Sequence, residues 1–262
     1  MGMDTIIGLL GLFVAALIAG VINSVAGGGS LISFPALIAF GVPSVPANAT
    51  NTAALWPGTL SSAFAYSRDT KLYRDLVLPL IIPSALGGLL GAFVLVITPP
   101  EWFDWIVPFL VLFATFLFAF RDPFTRLFKL GDDNENVSTL GRVWGFLFQL
   151  FVATYGGYFG AGIGILMLGS LSVMGLRDIH RMNALKTILG TMINVIAFLF
   201  FAFKGIVVWH LALWMTLGAI LGGYVGARTA KRVDQRYIRA FVIVVGLFVS
   251  AWLLMKRLYA TT

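Results

Sequence analysis

About ten apolar segments, separated by short turns, dominate the chain of 262 residues. Most are about 20 residues long, which lets a helix with a rise of ~1.5 Å per residue cross the ~30 Å apolar core of a bilayer. Gly, Pro and charged residues mark the turns. The pattern predicts an all-α integral membrane protein with segments at 5–22, 30–41, 47–67, 74–97, 102–120, 142–157, 163–175, 182–203, 207–228 and 236–257.

Composition supports this class. Hydrophobic residues make up 59% of the chain and charged residues 11%, against roughly 25% charged residues in soluble domains. The net charge of +7 comes from Lys and Arg in short turns rather than on one face. It therefore predicts orientation in a lipid bilayer and no nucleic-acid partner. The chain has no cysteine, which excludes disulfides and thiolate metal sites.

The two halves of the chain resemble each other. The run from Gly87 to Ala92 recurs from Gly222 to Ala227, and a glycine-rich stretch at 27–29 corresponds to another at 160–164. Each half holds five segments. If every segment crosses the membrane, an odd number of crossings makes the second half begin on the opposite side from the first, so the two halves have opposite orientations in the membrane. The predicted organisation is a first membrane repeat at 1–120, a polar cytoplasmic linker at 121–141 and a second, inverted repeat at 142–262.

Lys and Arg collect in alternate turns, as this inverted topology requires. The turns at 68–74, 177–181 and 228–236 and the linker are basic, whereas 42–46 and 157–162 carry no charge. The pattern predicts that both termini lie outside the cytoplasm. Lys256 and Arg257, near the C-terminus, are exceptions to it.

The second and seventh segments have only about a dozen residues, or roughly 18 Å as helix, which is too short to cross a bilayer. We expect each to form a re-entrant or half-helix hairpin with the segment before it. Non-helical backbone at the glycine-rich tips is tolerated in a membrane only when it is buried in protein or lines a wet cavity. We call residues 27–29 the first break and residues 160–164 the second break.

The two breaks predict a site for an anion near the membrane midplane. Helix N-termini present free N–H groups and a positive dipole end, and broken helices of inverted repeats commonly hold substrate there. Nearby amides and hydroxyls donate hydrogen bonds without locking the anion in an ion pair. The alternative is that the glycines only allow close helix packing. The predicted substrate-binding residues are Asn23, Gly27, Gly28, Gly29, Ser30, Asn48, Thr50, Asn51, Gly160, Gly162, Gly164, Asn183, Lys186, Thr187 and Asn194.

Lys186 is the predicted cation of the site. It lies inside the eighth apolar segment and shares a helix face with Asn183 and Thr187, at i, i+3 and i+4. An ionisable residue within a membrane segment is a functional hypothesis by default. The alternative is that its long side chain reaches the cytoplasmic surface.

Other chemistry is not indicated. The sequence shows no nucleophile and base pair, carboxylate pair, phosphate-binding loop or metal-ligand set, so it predicts neither an enzyme nor a cofactor. Trp56-Pro57-Gly58 in the third segment predicts a kink that serves either as a hinge or for packing. The glycine faces at 87–91 and 222–226 favour either packing within the chain or a homodimer seam.

Two sequence signatures resemble those of a known family. Residues 27–30, followed by Pro35-Ala36-Leu37 and Gly41-Val42-Pro43, resemble the first signature of the TauE/SafE sulfite exporter family, also called TSUP. Residues 183–186 and the run from Gly218 to Arg228 resemble its second signature. The resemblance covers almost the whole chain.

The resemblance implies a secondary transporter in the bacterial cytoplasmic (inner) membrane. Its substrate would be a small sulfur-containing anion such as sulfite, sulfoacetate or a related organosulfonate, moved by alternating access, with proton or sodium coupling as the family's habit. A carrier or channel for a non-sulfur anion such as a carboxylate is the main alternative. A purely structural membrane protein is another.

Overall fold

The computed structural model describes residues 3–25, 28–70, 74–120, 139–176, 179–229 and 235–260. These ranges are helical apart from short turns and contain no strand, which confirms the all-α class. Gly27 and most of the predicted linker lie outside them. The helices within them are α1 (Met3–Val25), α2 (Ser30–Ala39), α3 (Ser44–Thr70), α4 (Arg74–Ile97), α5 (Pro100–Ala119), α6 (Thr139–Tyr158), α7 (Ile163–Val173), α8 (Ile179–Phe203), α9 (Trp209–Thr229) and α10 (Gln235–Ala260).

Five helices of the described chain are long and apolar enough to cross a membrane: Ile6–Ser24, Leu78–Ile97, Pro100–Ala119, Met182–Phe203 and Tyr237–Tyr259. The apolar helices α2 and α7 have only 10 and 11 residues, or about 15 Å each. Large apolar side chains such as Leu78, Phe116 and Leu213 are more than half exposed. Such an outer surface is expected where helices face lipid rather than water.

Helices α1–α5 and α6–α10 pack in corresponding ways. Helix α1 packs against α9, and its counterpart α6 packs against α4. The contacts of α2 with α1 and α3 match those of α7 with α6 and α8. Helices α3 and α5 pack against their own counterparts, α8 and α10. The helix contacts are therefore largely preserved when the two halves are exchanged.

The repeated glycines are packing positions within the chain. A Cβ at Gly222 would overlap the carbonyl oxygen of Leu17 on α1, and a Cβ at Gly91 would overlap that of Thr154 on α6. Absent side chains let the backbones of two helices approach closely. Of the two interpretations of the glycine faces, packing within the chain therefore accounts for Gly222 and Gly91.

A buried polar network ties α7 to the surrounding helices. Gln149 on α6 donates from Nε2 to Ser84 Oγ on α4 at 2.9 Å, and Ser170 Oγ on α7 donates to Gln149 Oε1 at 2.7 Å. All three side chains are fully buried. Because an unpaired polar group is costly in such surroundings, the amide holds α7 in one position against α4 and α6.

Replacing Gln149 by leucine is expected to lower the free energy of unfolding by about 1–2 kcal/mol, since Ser84 and Ser170 lose their shared buried partner. Adding Ser84→Ala and Ser170→Ala should restore part of the lost stability. Removing all three polar side chains destabilises the protein less than leaving the two serine hydroxyls buried without a partner. Unfolding of the three proteins in one detergent measures both effects. A Gln149→Leu variant as stable as the wild-type protein would show that the network does not hold α7.

Candidate functional site at the glycine breaks

The described part of the first break, Gly28 and Gly29, leads the chain into α2. Gly28 has a φ of +96°, a conformation that favours glycine because it has no Cβ. The next residue, Gly29, caps α2 and donates its N–H to Asn23 Oδ1 at 2.7 Å. Ser30 begins the helix. Asn23, predicted as a substrate ligand, therefore has its oxygen engaged in holding the break.

The second break is built in a similar way. Gly162 caps α7 with a φ of +77°, and Gly160 accepts a hydrogen bond from the N–H of Ile163 at 3.4 Å. Tyr155, on α6, donates its hydroxyl to the carbonyl of Ala161 at 2.8 Å. Sequence reasoning missed this tyrosine, because nothing in the spacing links a residue of α6 to the turn that follows.

A single turn of helix α5, residues 114–118, contacts both breaks. A Cβ at Gly28 would overlap the ring of Phe118, and a Cβ at Gly162 would lie 3.5 Å from Ala114 and Leu117. The chain segments beside the breaks also contact each other directly. The ring of Phe34 on α2 packs edge to face with that of Phe159, and their centroids are 5.4 Å apart. The structure therefore brings the two predicted breaks together. The contribution of α5 was not predicted, because its residues here are apolar and carry no signal.

The first turns of α3 supply buried amides to this region. Asn51 Oδ1 accepts from Ser33 Oγ on α2 at 2.5 Å, and Asn48 Nδ2 donates to the carbonyl of Tyr158 at 2.9 Å. Asn48 therefore connects α3 to the chain just before the second break. Thr50 instead accepts from the N–H of Val208 at 3.0 Å, which places its hydroxyl at the turn between α8 and α9.

Lys186 lies beside the first turn of α7. Its Nζ donates to Asn183 Oδ1 at 3.0 Å, and its Cδ would be 3.3 Å from a Cβ at Gly164. The side chain is half-buried. Thr187 donates to the carbonyl of Asn183 within α8, and Asn194 is half-buried about two turns farther along. The predicted residues Lys186, Asn183 and Gly164 thus form one cluster.

A separate cavity of about 250 Å³ lies between the α2–α3 turn, the start of α5 and the end of α10. Asp104, Lys256 and Arg257 are among its lining residues. Arg257 Nη1 is 3.9 Å from the Asp104 carboxylate, and its Nη2 donates weakly to the carbonyl of Glu101 at 3.5 Å. Lys256 and Arg257 are the exceptions to the alternation of basic turns. The ion pair with Asp104 gives a local reason for the position of Arg257.

The helices and paired breaks define a class, namely a multi-pass helical membrane protein with two half-length helices in its interior. The family model for the sulfite exporter TauE/SafE matches residues 12–253. The chain belongs to the TauE/SafE sulfite exporter family and is a membrane transporter of that family, as the resemblance implied.

Curated relatives support the same class. A probable membrane transporter protein, ORF9, from Sinorhizobium sp is 33% identical over 248 residues, covering 93% of this chain and 91% of that protein. A probable membrane transporter protein of Haemophilus influenzae is 29% identical over 251 residues, covering 95% and 96%. The probable membrane transporter protein YfcA of Escherichia coli K12 is 28% identical over 248 residues, covering 94% and 90%. No solved structure gives a significant match.

Proposed function

We propose that the chain moves a small sulfur-containing anion, such as sulfite, sulfoacetate or a related organosulfonate, across the bacterial cytoplasmic membrane. The observation that carries the proposal is the position of Lys186, which lies across Gly164 at the start of α7 and bonds to Asn183. A cationic side chain beside a helix N-terminus favours a small anion. The family name supports sulfur oxyanions over other anions.

The chemistry of the cluster suits reversible binding. In the first turn of α7 the N–H groups of Ile163 and Ile165 already bond to the carbonyls of Gly160 and Gly162, so the start of the helix contributes its positive dipole end beside the ammonium group. The surrounding side chains donate or accept hydrogen bonds but add no second cation among the described residues around the breaks. Charge-assisted hydrogen bonds provide affinity, while a single positive charge keeps the anion from being held too tightly to leave.

Alternating access is the proposed mechanism, with the two halves as inverted repeats. The preserved helix contacts and the half-length helices α2 and α7 support it, because rocking of such repeats around a fixed central site exposes that site to each side in turn. In this proposal α1–α2 and α6–α7 are re-entrant hairpins and both termini lie outside. A proton or sodium gradient is the proposed energy source.

The test is thermal stability of the purified protein with sulfite, sulfate, thiosulfate, sulfoacetate, taurine and small carboxylates. We expect stabilisation by sulfur anions that increases with the logarithm of their concentration above Kd and reaches about 2.7 kcal/mol at a hundredfold excess over Kd. Uptake of the stabilising anion into proteoliposomes should saturate at the same concentrations. Stabilisation by carboxylates alone would favour the non-sulfur carrier, and flux that never saturates would favour a channel.

A further inference from the structure

The cavity of about 250 Å³ beside α10 lies away from the two breaks, at the far ends of helices that contact them. Helix α2 runs from the first break to the cavity, and α5 runs from the cavity at Asp104 to its contacts with both breaks at residues 114–118. Asp104 precedes these contacts by about ten residues, or about 15 Å of helix. Val111, which lies between them, is fully buried. The cavity is therefore distinct from the proposed anion site.

Three parts of the chain that are distant in sequence line the cavity. They are the α2–α3 turn at 41–43, the start of α5 at Pro100 and the last turns of α10 at Lys256. The charge pattern predicts all three on the outer side of the membrane, since basic residues collect in the alternate turns. In the proposed orientation, the cavity is therefore reached from outside the cytoplasm.

Positive charge exceeds negative charge in the lining. Lys256 and Arg257 line the cavity together with Asp104, whose carboxylate is the acidic group among the described lining residues. The contact of Asp104 with Arg257 is 3.9 Å long, whereas a charge-assisted hydrogen bond is about 2.7–2.9 Å. The Nζ of Lys256 lies 5.5 Å from the centroid of the Trp252 ring. The lining thus keeps one positive charge in excess.

Two helices begin at the cavity. Helix α3 starts at Ser44 and α5 starts at Pro100, and both residues line it. Some N–H groups of these first turns are already bonded, such as that of Ala47 to the carbonyl of Pro43 and that of Phe103 to the carbonyl of Pro99. The helices therefore contribute mainly their positive dipole ends, which favour an anion.

The hydroxyl of Ser44 is an unused donor in the lining. Ser44 is only 8% exposed, and its side chain has no hydrogen-bond partner in the part of the chain that the structure describes. Buried hydroxyls are normally hydrogen-bonded, so this one points to a group bound in the cavity. The negative dipole end of α10 accounts for cations in its last turn, but it does not account for this donor.

We infer that the cavity binds an oxyanion group, such as a phosphate or a sulfonate, between Lys256, Arg257 and the hydroxyl of Ser44. Asp104 positions Arg257 and limits the affinity for anions, because its carboxylate repels them. Two sources of such a group reach the outer surface: a free anion in solution, including the transported anion, and the phosphate of a phospholipid in the outer leaflet. The inference does not depend on the proposed central site.

A single cysteine can report on the cavity, because the chain has none of its own. Val42, half-buried in the lining, is the first reporter position. In Val42→Cys, purified in a maltoside detergent without phospholipid, inorganic phosphate should slow the reaction of the thiol with N-ethylmaleimide in a saturable way. Ser44→Ala and Lys256→Met should each raise the half-protecting phosphate concentration about fivefold, as expected for the loss of one hydrogen bond or one exposed ion pair.

Nanodiscs of phosphatidylglycerol distinguish the two sources. If lipid phosphate occupies the cavity, the thiol reacts slowly there without added anion, and Lys256→Met restores the rate seen in detergent. If a free anion occupies it, the thiol reacts in nanodiscs as it does in detergent, and added phosphate slows the reaction as before. Both results support the oxyanion site and differ only in the occupant.

Lys204→Met is the matched control. Lys204 is exposed, and its Nζ lies 5.6 Å from the centroid of the Phe200 ring, a contact like that of Lys256 with Trp252. This variant should leave the protection unchanged. Pro43→Cys, on the exposed rim of the cavity, is the second reporter if Val42→Cys reacts too slowly to measure.

Two results would overturn the inference. One is equal loss of protection in Lys204→Met and Lys256→Met, and the other is that neither phosphate nor lipid changes the reaction rate of either reporter. Both leave the proposed central site standing, because the reporters sense only the cavity.

Discussion

Gly222→Ala is expected to destabilise the protein by about 1–3 kcal/mol, the usual range for overpacking a close contact. A Cβ at this position would overlap the Leu17 carbonyl oxygen and lie 2.7 Å from its carbon and 3.0 Å from its Cα. These are backbone atoms of α1, which cannot rotate away as a side chain can. The two helices must separate, and much of their packing is then lost. Unfolding of the purified protein in detergent measures the effect.

The neighbouring residue provides a control. A Cβ at Gly223 would meet nothing within 4 Å, and alanine is a better helix former than glycine by about 1 kcal/mol. Gly223→Ala should therefore equal or exceed the wild-type protein in stability. If both variants lose stability equally, the cause is a general demand for glycine in α9 and not its contact with α1.

The counterpart in the first half should behave in the same way. A Cβ at Gly91 would overlap the Thr154 carbonyl oxygen and lie 2.6 Å from the N of Tyr158, so Gly91→Ala should cost about as much as Gly222→Ala. Agreement between the two would support equivalent packing of α1 with α9 and α6 with α4. If Gly91→Ala does not change the stability, the similar sequences of the two halves do not make equal contributions to the free energy of unfolding.

The helices could be predicted because their signal is local. Long apolar runs bounded by glycine, proline and charge gave segments whose bounds differ from the observed helices by only a few residues, as at 74–97 for α4. The short lengths of α2 and α7 followed from the same pattern. Hydropathy is a property of consecutive residues, so it needs no knowledge of tertiary contacts.

The roles of individual site residues were harder to predict, because they depend on contacts between distant segments. Asn23 and Thr50 were both chosen as polar residues near a break, yet the first holds Gly29 and the second binds Val208. Tyr155 and Phe118 contact the breaks from helices that carry no motif. Sequence spacing shows which polar groups are available, whereas packing decides which of them already have partners.

Lys186→Met is expected to weaken binding of sulfur anions by about 10- to 100-fold, since a hydrogen bond to a charged group contributes about 1.5–3 kcal/mol. Methionine keeps a long apolar stem that can still pack on Gly164, so the change removes charge more than volume. Lys186→Arg should retain part of the affinity, because the charge stays while the geometry of the donors changes. Ligand-dependent thermal shifts measure the affinity of the wild-type protein, Lys186→Met and Lys186→Arg for the anion.

Lys204→Met is the control for Lys186→Met. It separates the local effect of Lys186 on anion binding from the effect of removing one positive charge from the protein. Lys204 follows α8, is exposed, and has its Nζ 5.6 Å from the centroid of the Phe200 ring. This variant also removes one positive charge, but exposed charges are screened by salt, so anion binding should change by less than about twofold. If Lys186→Met and Lys204→Met weaken binding equally, Lys186 acts only through the overall field of the protein. A large loss confined to Lys186 would instead support the anion site at the start of α7.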